Sequence, residues 1–199
     1  MLDLQTARHG ASRGGYTLIE IVIVIAIIGL VVMFALPRIN LSRIRSKAAV
    51  QAVGTTLLAL QRDAITRQHN VVVGIDQATR SFMVVYDSTN DQTLNNNERS
   101  RTVSLSEEIV IGKPAAVPAQ PFGGAAVNFA ATERASGLPA IIFLRNGSAQ
   151  ESGGIYMSTP KAMAGAPGHE NETWALQVIR ATGRAEWQRW NGTSWVRGY

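Results

Sequence analysis

No cysteine occurs among the 199 residues. That excludes a disulfide framework, a thiolate nucleophile and a zinc site built on thiolates. Histidine is almost as scarce. His9, His69 and His169 stand far apart, and His169-Glu170-Asn171-Glu172-Thr173 does not match a zinc-binding helix. No Gly-rich phosphate loop and no nucleophile elbow is present, so the sequence reads as a non-enzyme. Charged residues make up only 17% of the chain, and across residues 18–36 the charge falls to one carboxylate, Glu20.

That near-uncharged stretch is the dominant feature. Residues 18–36 are rich in Ile and Val and contain no Pro before Pro37. A hydrocarbon core is crossed by about 20 apolar residues, so the run is long enough to span one. It is too long for a secretory signal peptide, and residues 36–39 make a poor exit site. A plain signal anchor is the simpler alternative, yet it has no evident use for Glu20. A carboxylate in the first turn of such a helix costs a few kcal/mol unless it is paired. Glu20 lies four residues after Tyr16, on the same helix face as the amine that cleavage after Gly15 would create. An amine of one chain meeting Glu20 of the next would neutralise both in lipid and set a stagger between subunits.

Charge is unevenly shared along the chain. The net +5 resides in residues 38–69, where Arg38, Arg43, Arg45, Lys47, Arg62 and Arg67 face only Asp63. Residues 70–199 carry 11 basic and 11 acidic side chains and are neutral. A basic stretch beside a membrane meets anionic head groups at roughly 1 kcal/mol per residue; a solvated helix face is the alternative. Arg8 and Arg13 favour a cytoplasmic N-terminus, an inference weakened by the basic residues beyond the apolar run.

Past Pro37, which is expected to kink the helix rather than end it, Val50, Val53, Leu57, Leu60 and Ala64 recur at steps of three and four. They form an apolar stripe suited to packing on a sheet, with the helix ending near His69-Asn70. From Val71 the period changes to two. Strands are predicted at 71–76, 82–87, 101–111, 127–130, 140–145, 154–158, 173–180, 185–190 and 194–198. Asn146-Gly147 and Asn191-Gly192 read as type I′ hairpin turns. A two-residue loop at the second sets Trp190 against Thr193, Trp187 against Val196 and Glu186 against Arg197. The Pro- and Gly-rich segments 112–125 and 159–172 are expected to be exposed, mobile loops.

Arg13-Gly14-Gly15-Tyr16-Thr17-Leu18-Ile19-Glu20 resembles the class III signal of type IV pilins and type II secretion pseudopilins. The resemblance implies that a prepilin peptidase cuts between Gly15 and Tyr16, that Tyr16 is N-methylated, and that Glu20 is the assembly glutamate. Gly29 and Pro37 sit where that family often has a helix Gly and Pro. Tyr16 replaces the more usual Phe, and the leader is long for a simple type IV pilin. Residues 60–67 followed by Val71-Val72-Val73, residues 82–87, Ile142-Phe143 through Asn146-Gly147, and Leu176-Gln177-Val178 through Gly183-Arg184 are similar to segments of the GspH/FimT family. The implied fold is α+β, a long N-terminal helix packed on an antiparallel β domain. The implied organisation is a leader at 1–15, a transmembrane and stalk helix at 16–69, and a periplasmic β domain at 70–199. Implied partners are other pilins or pseudopilins, the prepilin peptidase and inner-membrane lipid. The function implied first is that of a minor pseudopilin of type II secretion, and the alternative is a FimT-like minor pilin active in DNA uptake.

Two ligand sites need weighing. Asp87-Ser88-Thr89-Asn90-Asp91 with Asn95, Asn96, Asn97 and Glu98 is the only calcium-like cluster, but its acids are sparse and it lacks the Gly of a sharp turn. A solvated hairpin loop is the better reading, and no cofactor is expected. Arg180, Arg184, Arg189 and Arg197 alternate with Trp187, Trp190, Trp195 and Tyr199, as in surfaces that track and stack a nucleic-acid strand. The FimT branch implies a Gly-Arg-x-Arg motif for DNA, where this chain has Gly183-Arg184-Ala185-Glu186. The acid removes a phosphate contact, and a neutral domain should bind DNA weakly. Cross-strand packing of the Trp residues is the competing reading.

Overall fold

The computed structural model describes residues 15–35, 41–92, 95 and 97–198. The chain divides into two units, residues 1–40 and residues 41–199. In the first, α1 (Leu18–Ala35) is an 18-residue helix whose described side chains are exposed on every face. At 1.5 Å per residue it is about 27 Å long, slightly under the roughly 30 Å of a hydrocarbon core. Among the described residues no helix is long and apolar enough to cross a membrane. The apolar run continues to Leu36, which together with the expected kink at Pro37 lies outside them.

The second unit is built on α2 (Leu41–Arg67). The predicted stripe is its buried face: Val50, Val53, Leu57, Leu60 and Ala64 are all at most 4% exposed. Gln68, at φ 58°, turns the chain out of the helix, and its N–H still donates to the Ile65 carbonyl. The first strand follows at once.

Two antiparallel sheets pack against this helix. In the first, the order is β3 (Arg99–Ser104), β2 (Ser81–Asp87), β1 (Asn70–Asp76), β6 (Ala140–Phe143). Val71, Val73, Phe82, Val84, Ile141 and Phe143 join the α2 stripe in one core. Val72, Val85, Ala140 and Ile142 form a smaller cluster on the opposite face. Burial on both faces explains why β1 is a continuous apolar run rather than an alternating one. Tyr86 fastens helix to sheet: its hydroxyl donates to the Asp63 carboxylate at 3.0 Å, and the Arg67 guanidinium lies 5.2 Å from its ring centroid.

The second sheet has the order β10 (Trp195–Arg197), β9 (Ala185–Trp190), β8 (Thr173–Val178), β7 (Gly153–Ser158), β4 (Val110–Ile111), with β5 (Val127–Asn128) also on β7. Ile155, Met157, Trp174, Leu176 and Val178 carry the shared core into it. A four-residue helix, α3 (Pro160–Met163), is capped by the Thr159 hydroxyl.

Several expected details are corrected. Residues 101–111 are not one strand. The turn at Ser106, where its carbonyl accepts the Ile109 N–H and its hydroxyl the Glu108 N–H, sends β3 and β4 to different sheets. Neither Asn-Gly pair forms a type I′ turn, because only the glycines, Gly147 and Gly192, adopt positive φ. In the last hairpin the Asn191 carboxamide oxygen accepts the N–H groups of Thr193 and Ser194. That Asx closure makes a four-residue loop, so Trp190 faces Trp195, Arg189 faces Val196 and Gln188 faces Arg197. The two Pro-rich segments are not simply exposed. Val117 and Gln120 are buried, with the Gln120 N–H donating to the Tyr156 hydroxyl at 2.5 Å. Thr159, Ala162 and Glu172 are buried in the other. Proline bars a strand from the ladder but does not bar burial.

Candidate functional site

The N-terminal site begins at Gly15 and Tyr16, both exposed, with no heavy atom within 4 Å of a Cβ built on Gly15. The Gly15–Tyr16 peptide bond is thus exposed and uncrowded, outside the helix. Thr17 and Glu20 then start the helix reciprocally. The Glu20 N–H donates to the Thr17 hydroxyl at 3.3 Å, and the Thr17 N–H donates to the Glu20 carboxylate at 3.5 Å. This is a capping box, in which two of the orphaned donors of a helix start find acceptors. It gives Glu20 a local use that any anchor helix would share, which the sequence reading overlooked. The Thr-x-x-Glu spacing was the available signal. One carboxylate oxygen in the box leaves the other, and the full negative charge, open to a neighbour.

The second constellation lies wholly within residues 41–199. Between α2 and the β9–β10 hairpin runs a groove of ≈ 880 Å³, bordered by Arg43 and Lys47 from the helix and by Arg184, Arg189 and Arg197 from the hairpin side. Among the described residues no carboxylate lines it. Its floor is apolar, formed by Val50, Leu58, Trp174, Trp187 and Val196. Trp187 opposes Leu176 on β8, and Arg189 opposes Trp174, so these side chains share the sheet face turned to α2. Gly54 makes that approach possible, because a Cβ there would lie 2.5 Å from the Trp187 indole nitrogen. Arg197 borders the groove from the sheet edge, since its partner Gln188 belongs to the other face.

Of the four arginines singled out from sequence, three meet here and Arg180 does not; its N–H donates to the Ser152 hydroxyl and its side chain is exposed elsewhere. Arg184 also lies 4.0 Å from Glu186. The tryptophans do not form one platform. Trp190 and Trp195 stack edge to face at 5.7 Å, Trp195 reaches Tyr156 at 5.9 Å, and its indole N–H donates to the Pro118 carbonyl. Those two rings are packing, on the face away from Arg189. The sequence reading missed Arg43 and Lys47 as their companions, because more than a hundred residues separate the two sides.

Residues 10–36 match the family model described as the prokaryotic N-terminal methylation motif, and the match includes Gly15, Tyr16 and Glu20. This chain carries the N-terminal methylation motif of type IV pilin-like proteins. No curated protein sequence matches it. Two solved structures of the minor pseudopilin EpsH, from the type II secretion system of Vibrio cholerae, are similar. One aligns at TM-score 0.44 and 15% identity over 75% of this chain and 98% of that one. The other aligns at 0.42 and 18% over 71% and 94%.

The acidic loop after β2 is held largely by its own side chains, with ties to Asn70 and Gln150. Asp87, Asp91 and Glu98 bring carboxylate oxygens within 4.8 Å of one another. The fully buried Asp87 accepts the N–H groups of Asp91 and Gln92. Glu98 accepts from the N–H groups of Thr89 and Asn95 and the hydroxyls of Ser88 and Thr89. Burial pushes the Glu98 carboxyl upward, but those bonds outweigh it and hold its pKa below the ordinary value. The loop thus turns its own N–H and hydroxyl groups onto the Asp87 and Glu98 carboxylates. Asn96 lies outside the described residues.

Proposed function

We propose that this protein is a minor pseudopilin of a type II secretion system, held in the bacterial inner membrane by its apolar N-terminal helix with its β domain in the periplasm. In this reading a prepilin peptidase removes residues 1–15 and methylates Tyr16, and the mature chain enters a short filament through α1. There Glu20 pairs with the terminal amine of a neighbouring subunit. The function is assembly in support of protein export, with no catalytic step.

The observation that carries this reading is the methylation motif over residues 10–36, joined to a helix that is apolar on every face except at Glu20. Such a helix finds its solvent in lipid or among similar helices. Its first-turn carboxylate is compatible with either only when paired.

The test separates the two uses of Glu20. Glu20→Gln keeps an acceptor for the Thr17 N–H and removes the charge; Glu20→Ala removes both. Both variants should be processed to the mature mass, and both should be poorly incorporated into filaments. Normal incorporation of Glu20→Gln would refute the pairing and reduce Glu20 to a cap. Gly15→Ala should leave the leader attached, and an unchanged mature mass would contradict the cut site.

The second reading is a DNA-uptake minor pilin, supported by the joining of Arg184, Arg189 and Arg197 with Arg43 and Lys47 around one groove. Against it stand Glu186 beside Arg184 and the internal packing of Trp190 and Trp195.

A further inference from the structure

The groove between α2 and the β9–β10 hairpin is lined by residues of the second unit. Its border carries five basic side chains beside the neutral Gln51 and Thr55, and among the described residues Lys47, Arg189 and Arg197 have no carboxylate within 4.0 Å. Its floor is apolar, with the exposed Leu58 on one wall and the half-buried Trp187 ring on the other.

Border and floor together restrict the occupant. A bare polyanion satisfies the cations and leaves the apolar floor in water. A purely apolar surface covers the floor and desolvates unpaired cations, which is costly. A nucleic-acid strand also wants exposed aromatic faces for stacking; here Trp190 and Trp195 are consumed by each other and by Tyr156, and one side of Trp187 lies on Gly54. A polypeptide that interleaves acidic with apolar side chains satisfies both. Trp and Arg are the residue types that dominate binding energy at protein interfaces. β10 is the last strand of its sheet, with no strand beyond it among the described residues, so an extended segment also meets main-chain donors and acceptors there. We propose that this groove docks an acidic, apolar-containing extended segment of another protein, with Lys47, Arg189 and Arg197 pairing its carboxylates and Leu58, Trp187 and Val196 covering its apolar side chains.

The test uses the full chain in neutral detergent and fluorescence anisotropy with labelled probes. A short peptide alternating Glu with Leu should bind saturably and weaken as salt rises. Polyglutamate of equal charge should bind at least about tenfold more weakly, because only complementarity to the floor separates the two. Lys47→Glu and Arg189→Glu should each weaken the Glu/Leu peptide several-fold. Leu58→Ser should weaken it without weakening polyglutamate, and Arg134→Glu, at an exposed position outside the groove lining, should change nothing. Lys47 and Leu58 are exposed, so those two variants remain informative even if Arg189→Glu unfolds. Absence of peptide binding, equal binding of polyglutamate, or indifference to Lys47→Glu and Leu58→Ser overturns the proposal. Tighter binding of single-stranded oligothymidylate, lost in Lys47→Glu, also overturns it and assigns the groove to nucleic acid.

Discussion

Gly54 offers a test of how α2 is seated on the second sheet. Ala is about 0.8–1.0 kcal/mol better than Gly inside a helix, so on propensity alone Gly54→Ala should stabilise the protein. The structure reverses that sign. A Cβ at Gly54 would stand 2.5, 2.7 and 2.8 Å from the Nε1, Cζ2 and Cε2 atoms of Trp187. To relieve that clash the half-buried indole has to leave its seat on α2, where it lines the groove. Overpacking of this kind costs about 1–3 kcal/mol. Set against the propensity gain, it leaves a net loss of about 1 kcal/mol, or about 2–4 °C in melting temperature for a domain of this size. The decisive comparison is made in a Trp187→Ala background. With the ring gone the clash disappears, and Gly54→Ala should there stabilise by about 1 kcal/mol. The coupling between the sites is thus about 2 kcal/mol, within the range seen for residues in contact. Differential scanning calorimetry of the four proteins in neutral detergent measures it. If Gly54→Ala raises the melting temperature of the parent as much as that of the Trp187→Ala chain, the seating of Trp187 on α2 is wrong.

Two further outcomes follow from burial and titration. Leu57, with no exposed surface, should cost about 2–5 kcal/mol on replacement by Ala, whereas the same change at its neighbour Leu58, 43% exposed, should cost under about 0.5 kcal/mol; comparable losses in urea unfolding would mean the helix is rotated from the face described. Glu98 has a folded-state pKa below its ordinary 4.5, so its contribution is present above pH about 4.5 and is lost as pH falls through the lowered folded value; Glu98→Gln should flatten stability against pH in that acidic window, and an unchanged slope would show that its hydrogen bonds do not favour the charged form.

What was legible in the sequence was what repeats. The stripe Val50, Val53, Leu57, Leu60, Ala64 follows from the helical period, and all five lie in the core. β9 was bounded to the residue. What escaped was decided by side chains acting on the backbone or across long separations. Asn191-Gly192 looked like a type I′ turn because both residues tolerate positive φ. Instead the Asn191 side chain closes an Asx turn, and the register moves so that Trp195, not Thr193, faces Trp190. The division of residues 101–111 between two sheets depends on one Ser-initiated turn inside an otherwise strand-like run. The groove was invisible for a different reason, since its two sides are joined only by the fold. Nothing local to Gly54 announces the ring of Trp187.

The charge distribution shows why a segment total misleads. Residues 70–199 balance 11 bases against 11 acids, and weak affinity for DNA was the expectation from that neutrality. Neutrality of a segment is not neutrality of a surface. Several acids are spent inside the domain: Asp87, Glu133 and Glu172 are buried, the first accepting backbone N–H groups of its own loop and the last a hydroxyl from Thr159. Glu108 lies 3.8 Å from Arg45. The bases of the last hairpin stay at the surface and are joined by Arg43 and Lys47 from a segment counted separately. At a Debye length of about 8 Å in physiological salt, a ligand in the groove responds to the local cations and hardly at all to acids on the far side of the sheets. Binding there should therefore track the residues bordering the groove. A charge-neutralising change outside the groove lining, such as Glu151→Gln, whose carboxylate accepts the Ala131 N–H, should leave peptide affinity and its salt dependence as they were, whereas a dependence on Glu151 equal to that on Lys47 would restore net charge as the governing quantity.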